Sequence, residues 1–287
     1  MQLVAFKHRP TLAKALAKKL KLKISWAELG SYAAGELKVI APQKVAKQVI
    51  IAADVEENPA SLVSLLFLGA ALRSCGAKRV TLVAPWIAYG RQDRVDKPGQ
   101  APAGLVMARV LSQSFDRIVT LDAHSPAFIK AFGNKLINIT LTTTSLLKEG
   151  REVFKNINLV AAPDRGATER AKRFARVLGV PWVVIEKHRG NKGVKSKINK
   201  SDLSKVKSAK VLLVDDMADS GGTLVSAAKV LRQARAKQVE AYVTHVLDMS
   251  RLKTALKGRV SPVRTAYDHK SYKLSLLILS DLVKRLA

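Results

Sequence analysis

The chain is poor in acid: its 287 residues hold 22 Asp+Glu against 50 Lys+Arg, for a net charge of +28. Charged residues amount to an ordinary 25%, so the imbalance is one of sign and not of quantity. Such a protein should fold normally and meet anions, whether nucleic acid, an acidic surface or small phosphates. Cysteine is almost absent. Cys75 alone cannot form an internal disulfide, which fits a reducing compartment, and it reads as a small buried hydrophobe. No apolar run approaches about 18 residues, so no segment is expected to span a bilayer. The N-terminus lacks a secretory apolar core, and a cytoplasmic location is expected. Aromatic residues are only 5%, with no basic-aromatic motif for stacking bases, so no specific nucleic-acid partner is expected.

What is present is a 48% apolar chain, long enough for two domains with proper cores. Near the start, Thr11 after Pro10 can cap a helix whose Leu12, Leu16 and Leu20 share one face. Strand-like runs at 48–53, 80–84, 118–121, 159–162, 182–185, 211–214 and 241–246 alternate with helical stretches near 61–73, 103–114, 167–178 and 223–234. This alternation predicts an α/β protein with largely parallel sheets flanked by helices, and ligands outside the carboxyl ends of the strands. A faint echo joins the halves: Leu72-Arg73, Ala77-Lys78 and Val80 recur 159 positions later as Leu231-Arg232, Ala236-Lys237 and Val239. It suggests two similar domains, 1–143 and 144–287, meeting near residues 140–150. The last helix, 274–286, is expected to pack back on the first domain.

The most informative stretch is 211–224, VLLVDDMADSGGTL. An apolar strand ends at Asp215 and Asp216; Asp219, Ser220, Gly221, Gly222 and Thr223 then open a helix. Paired glycines let the backbone approach a ligand, and the N–H groups of the turn and helix N-terminus form a phosphate cradle. The acid pair would repel phosphate but suits sugar hydroxyls, directly or through a metal. Together these residues describe a ribose-phosphate site. From 187 to 200 the chain carries six cations and no acid, and this segment reads as a long, mobile, basic loop.

The segment 211–224 resembles the 5-phosphoribosyl-1-pyrophosphate (PRPP) fingerprint of the phosphoribosyltransferase fold. Upstream, PWIAYGRQDR at 85–94, TLDAH at 120–124 and APDRGATERA at 162–171 each follow a strand, and KHR occupies 187–189. In this order the motifs look like those of ribose-phosphate diphosphokinases, also called PRPP synthetases. The resemblance implies two phosphoribosyltransferase-like domains, with an active site between them that a neighbouring subunit of a homo-oligomer completes. It implies transfer of the β,γ-diphosphoryl group of ATP to the C1 hydroxyl of ribose 5-phosphate, with Mg2+. Carried over residue by residue, Arg91 and Gln92 would hold ATP, with Tyr32 and Glu36 on its base side. His124 and Asp164 would serve the metal–nucleotide complex. Asp215 and Asp216 would engage the ribose hydroxyls, Asp219 to Thr223 the 5-phosphate, and Lys187 and Arg189 would close over the transferring group as catalytic cations.

The chain departs from the family pattern at Ala34, where an amide or carboxylate normally reads the base, and at Gly190, where a proline normally follows the basic triplet. It is also shorter than typical bacterial members. Two alternatives fit part of the pattern: a phosphoribosyltransferase that consumes PRPP, and a non-catalytic regulatory or nucleic-acid-binding relative.

Overall fold

The computed structural model describes residues 1–140, 153–190, 193–268, 273–274, 283 and 286; the side chains at 187–190, 193–195 and 273–274 lie outside the described set. The chain divides into two compact units, Met1–Thr140 with Leu279–Ala287, and Leu141–Ile278. The expected crossing at 140–150 and the expected last helix fall almost wholly outside the described residues.

In the first unit, strands β1 (Gln2–Phe6), β2 (Ile24–Ser31), β3 (Leu37–Ile40), β4 (Gln48–Ala52), β5 (Arg79–Val83), β6 (Arg117–Leu121) and β7 (Leu136–Ile139) form one sheet in the order β3-β2-β1-β4-β5-β6-β7. All neighbours run parallel except the β2–β3 hairpin. The second unit repeats this order. Strands β8 (Leu159–Ala162), β9 (Trp182–Gly190), β10 (Gly193–Ile198), β11 (Lys210–Ala218), β12 (Gln238–Val246), β13 (Val263–Asp268) and β14 (Lys273–Leu274) are arranged β10-β9-β8-β11-β12-β13-β14. Here β10 and β14 are the antiparallel members. The expected α/β class, with two largely parallel sheets flanked by helices, is what the chain adopts.

Helices form where capping and apolar spacing agree. Asn58 accepts from the N–H of Ala60 at 3.0 Å and Pro59 opens the helix Pro59–Ser74. That helix turns Leu65, Leu68 and Leu72, each at most 1% exposed, into the core. At about 2 kcal/mol per fully buried leucine, this face outweighs any propensity effect. In the second unit, Leu224, Ala227, Ala228 and Leu231 do the same for the helix Gly222–Gln233.

The internal echo marks equivalent joints. Ala77 N–H bonds Leu72 O and Ala236 N–H bonds Leu231 O, both at 3.0 Å; Lys78 N–H reaches Lys47 O and Lys237 N–H reaches Ala209 O, both at 2.8 Å. Arg73 donates to Ser114 O at 3.3 Å, and Arg232 to Arg259 O at 3.4 Å. Five matching residues thus code one helix-to-strand turn used twice.

Four expectations need correction. The basic segment after β9 is not a long loop: β9 continues to Gly190 and pairs with β10, Lys187 opposite Ser196 and Arg189 opposite Val194. Val194 and Ile198 supply strand-forming residues that the density of lysines masks. The strand before the phosphate motif does not stop at the acids; Asp215, Met217 and Ala218 still pair with β12. Thr11 lies inside its helix, which begins at Pro10 after an Arg9 that offers no side-chain cap. Cys75 is exposed, because it closes the end of its helix instead of facing the sheet.

Candidate active site

Each sheet reverses its winding at a central pair of strands, β1/β4 in one unit and β8/β11 in the other, where open α/β sheets leave a crevice. In the second unit both carboxyl ends at that point carry predicted residues. Asp164 follows β8, and its Oδ1 accepts the Gly166 N–H at 3.0 Å, capping the short helix Arg165–Ala167. Asp215 and Asp216 lie near the carboxyl end of β11, with the Asp216 N–H donating to Asp215 Oδ1 at 2.9 Å.

The electrostatics here are lopsided. Burial, then the adjacent Asp216 carboxylate, push the Asp215 carboxyl well above the usual carboxylate range, while Arg170 pulls it down. Arg170 Nη1 lies 4.0 Å from Asp216 Oδ1, both side chains largely buried. Arg170 is a residue that sequence reasoning missed. Its signal was an arginine two residues into the helix Thr168–Leu178, six positions after Asp164.

Beyond β11, Asp219 and Ser220 are exposed and the backbone turns at Gly221, φ 78°. A Cβ there would sit 2.6 Å from Leu252 Cδ1, so the turn requires glycine twice, for conformation and for space. Gly222 and Thr223 open the helix, whose first N–H groups have no intrahelical acceptor and point at whatever occupies the turn.

Next to this crevice stands the β9–β10 hairpin. Only Trp182, Val183 and Val184 of β9 pair with β8; from Ile185 on, β9 pairs only with β10. Among the described side chains, Arg165 Nη2 bonds Glu186 Oε1 at 2.8 Å and the Ser196 and Ser226 hydroxyls pair at 2.8 Å. The backbones of Lys187 and Arg189 lie on β9, and their side chains are outside the described set.

The first unit holds the predicted nucleotide residues. Gly90 of the YGRQDR segment packs beside the next loop, where an added Cβ would meet Phe128 at 3.2 Å and His124 Cβ at 3.6 Å. The segment is docked on the helix Ala103–Ser114 by the Gly104 N–H to Gln92 O bond, 2.9 Å. Arg91, Gln92 and His124 are exposed. Each loop contains a non-glycine residue in the left-handed region, Tyr89 (φ 65°) and Asp122 (φ 42°), a strain that functional loops commonly hold. Scaffold residues that the sequence did not reveal anchor the first of these loops: Tyr89 Oη donates to Glu57 O at 2.7 Å, and the Trp86 N–H donates to Asp54 Oδ1 at 2.9 Å.

Tyr32 and Glu36 are not brought to this cluster. They close the β2–β3 hairpin, where Tyr32 N–H bonds Glu36 O at 2.9 Å, and the Tyr32 ring is 54% exposed with Lys38 Nζ 5.4 Å from its centroid. Three strand spacings, about 14 Å, separate β2 from β5. Among the described residues no three His, Cys, Asp or Glu side chains gather as a metal cage, and no helix is long and apolar enough to cross a membrane.

An acid pair, a glycine turn and a helix N-terminus at the switch point of a repeated α/β unit define a protein of the phosphoribosyltransferase type. Residues 137–267 match the phosphoribosyl transferase domain, and residues 1–114 match the N-terminal domain of ribose phosphate pyrophosphokinase. A ribose-phosphate pyrophosphokinase of Chlorobaculum tepidum is 33% identical over 248 residues, 85% of this chain and 76% of that protein. One from Pyrococcus furiosus is 31% identical over 231 residues, 79% of this chain and 80% of that protein. The crystal structure of phosphoribosylpyrophosphate synthetase from Mycobacterium smegmatis shares the fold, with a TM-score of 0.85 at 24% identity over 99% of this chain and 98% of that one. The chain belongs to the ribose-phosphate pyrophosphokinase family of diphosphoryl-transferring enzymes.

Proposed function

We propose that the chain forms PRPP and AMP from ribose 5-phosphate and ATP, with the residue roles set out here. The observation that carries this reading is the β8/β11 crevice, where a sugar-binding acid pair adjoins a phosphate cradle in one rigid strand–turn–helix. The 5-phosphate sits at Asp219 to Thr223 against the helix N-terminus, and the ribose hydroxyls meet Asp215 and Asp216. Arg170, 4.0 Å from Asp216, adds a cation beside the acid pair.

The C1 hydroxyl then attacks the β-phosphorus of ATP, losing its proton as the bond to the α-phosphate oxygen breaks and AMP leaves. Such transfer asks little covalent chemistry of the protein and much positioning and charge stabilisation. Arg91 and Gln92 hold the nucleotide phosphates, His124 lies on the adjoining loop, and Lys187 and Arg189 supply cations as charge develops. Magnesium fits this donor set, since Asp164 offers a hard carboxylate oxygen of the kind it prefers. Asp164 and His124 are the residues that would hold Mg2+, and the ion would supply positive charge to the phosphates.

Tyr32 and Glu36, exposed and distant from Arg91 on the same sheet, fit the reading that they serve a neighbouring subunit's nucleotide in a homo-oligomer. The two units correspond to phosphoribosyltransferase-like domains joined near residue 143, in a cytoplasmic enzyme. Purified protein mixed with ATP, Mg2+ and ribose 5-phosphate should yield AMP and PRPP in equal amounts. Nucleobase-dependent PRPP consumption without synthesis would overturn the proposal.

A further inference from the structure

The β9–β10 hairpin has a mechanical problem. Beyond Val184 it is a two-stranded ribbon with no third strand beside it, and such ribbons are marginally stable in water. Yet Lys187 lies only three residues past the last sheet-paired position. A cation meant to meet developing charge needs its backbone fixed, because misplacement by about 1 Å can lower a rate about 10²-fold.

At its base Ile185 and Ile198 pack into the core of the unit, and among the described side chains two polar contacts, which differ in kind, hold the ribbon nearer Lys187. Arg165–Glu186 is an ion pair with a 79% exposed guanidinium, and solvent-screened pairs of this sort contribute little. Ser196–Ser226 is half-buried, and its two residues occupy informative places. Ser196 is the register partner of Lys187, so it marks the level of the ribbon at which the cation leaves the backbone. Ser226 stands one turn into the helix Gly222–Gln233, whose N-terminus is the proposed 5-phosphate cradle. On the same strand Ile198 packs against the core of the unit, and on the same helix Val225 does so, which gives the hydroxyl pair rigid backing on both sides.

We infer that the Ser196–Ser226 hydroxyl pair is a positioning latch, which sets the strand position of Lys187 against the phosphate-binding helix without itself touching substrate. The latch ties the two ends of the reaction together: the helix that holds the sugar phosphate also sets the height of the cation that acts at the other side of the sugar. This inference rests on the proposed role of Lys187, and the test separates the two.

Steady-state rates of Ser196→Ala, Ser226→Ala, the double variant and Ser226→Thr would be compared with wild type, each also on a Lys187→Ala background, with thermal unfolding followed in parallel. The expected result is kcat lowered about 10-fold in either alanine variant, with KM for both substrates within about 2-fold and Tm nearly unchanged. The double variant should be no slower than either single one, and Ser226→Thr should retain most activity. On the Lys187→Ala background the serine changes should have no further effect. Unchanged kcat in both alanine variants, or an equal loss with and without Lys187, overturns the latch. Near-normal turnover of Lys187→Ala alone overturns the role of the lysine, a separate outcome.

Discussion

The backbone N–H of Asp216 donates to Oδ1 of Asp215 at 2.9 Å, so the two carboxylates proposed to meet the ribose are joined through this bond and differ in environment. Asp215 is buried, whereas Asp216 faces Arg170. Asp215 is therefore held against its own ionisation, by burial first and by Asp216 second.

A stability experiment follows from Asp215. Its carboxyl is raised by burial first and by Asp216 second. A raised carboxyl costs the fold stability as pH climbs from the unfolded value, about 3.9, through the folded one. Asp215→Asn should raise Tm at about pH 8 and change it little at about pH 4, while weakening ribose 5-phosphate binding. A gain independent of pH would contradict the assignment.

Gly221→Ala should harm both fold and function. The left-handed backbone alone costs about 1–2 kcal/mol for a residue with Cβ, and Leu252 must also move. Calorimetry should show a lower Tm, and titration a weaker affinity for ribose 5-phosphate. Unaltered sugar-phosphate affinity would remove the turn from the cradle.

Lys187→Ala tests the proposed cation. Turnover should fall about 10²-fold or more with smaller changes in KM, since its charge matters most as phosphate charge develops. A rise in KM at constant kcat would make it a ground-state binding residue instead.

Donor selectivity should be loose because Ala34 offers no group to read the base. Comparing ATP with other nucleoside triphosphates should show modest discrimination, and Ala34→Asn should sharpen it toward ATP. Tyr32→Ala should raise KM for every donor, as loss of a stacking face worth about 1–3 kcal/mol would.

Asp116, in the first unit, provides a control outside the predicted site residues. Burial opposes its charge, but the Val80 N–H at 2.8 Å and Arg73 at 2.9 Å hold its carboxyl below the usual range. The stability it contributes is full above the unfolded value and lost as pH falls through the folded one. Asp116→Ala should lower Tm at neutral pH, with the gap to wild type narrowing below about pH 4, and leave substrate affinity intact.

Much of this architecture was legible in the sequence. Apolar runs marked most central strands, and even the 159-residue echo proved to be a repeated turn with repeated hydrogen bonds. The phosphate motif could be read because its chemistry is local: glycine, helix N-terminus and acids lie within nine residues, 215–223. What escaped notice was pairing across the chain. The partners Arg170–Asp216, Arg165–Glu186 and Ser196–Ser226 are 46, 21 and 30 positions apart, and none has a periodic signature. The β9–β10 ribbon was hidden for a different reason: its lysines suggested solvent, whereas strand pairing depends on backbone and alternation.

The repeated sheet order has one last implication for Asp54. Val49 faces Val80 in the first unit as Val211 faces Val239 in the second, and five residues further along lie Asp54 and Asp216. The same carboxylate thus occurs in both halves, but at Asp54 it accepts the backbone N–H of Trp86 and ties down the start of the YGRQDR loop. If the halves descend from one ancestral module, the position proposed to meet the sugar in one half has become a keystone of masonry in the other. Asp54 therefore guards the shape of the loop at 85–94.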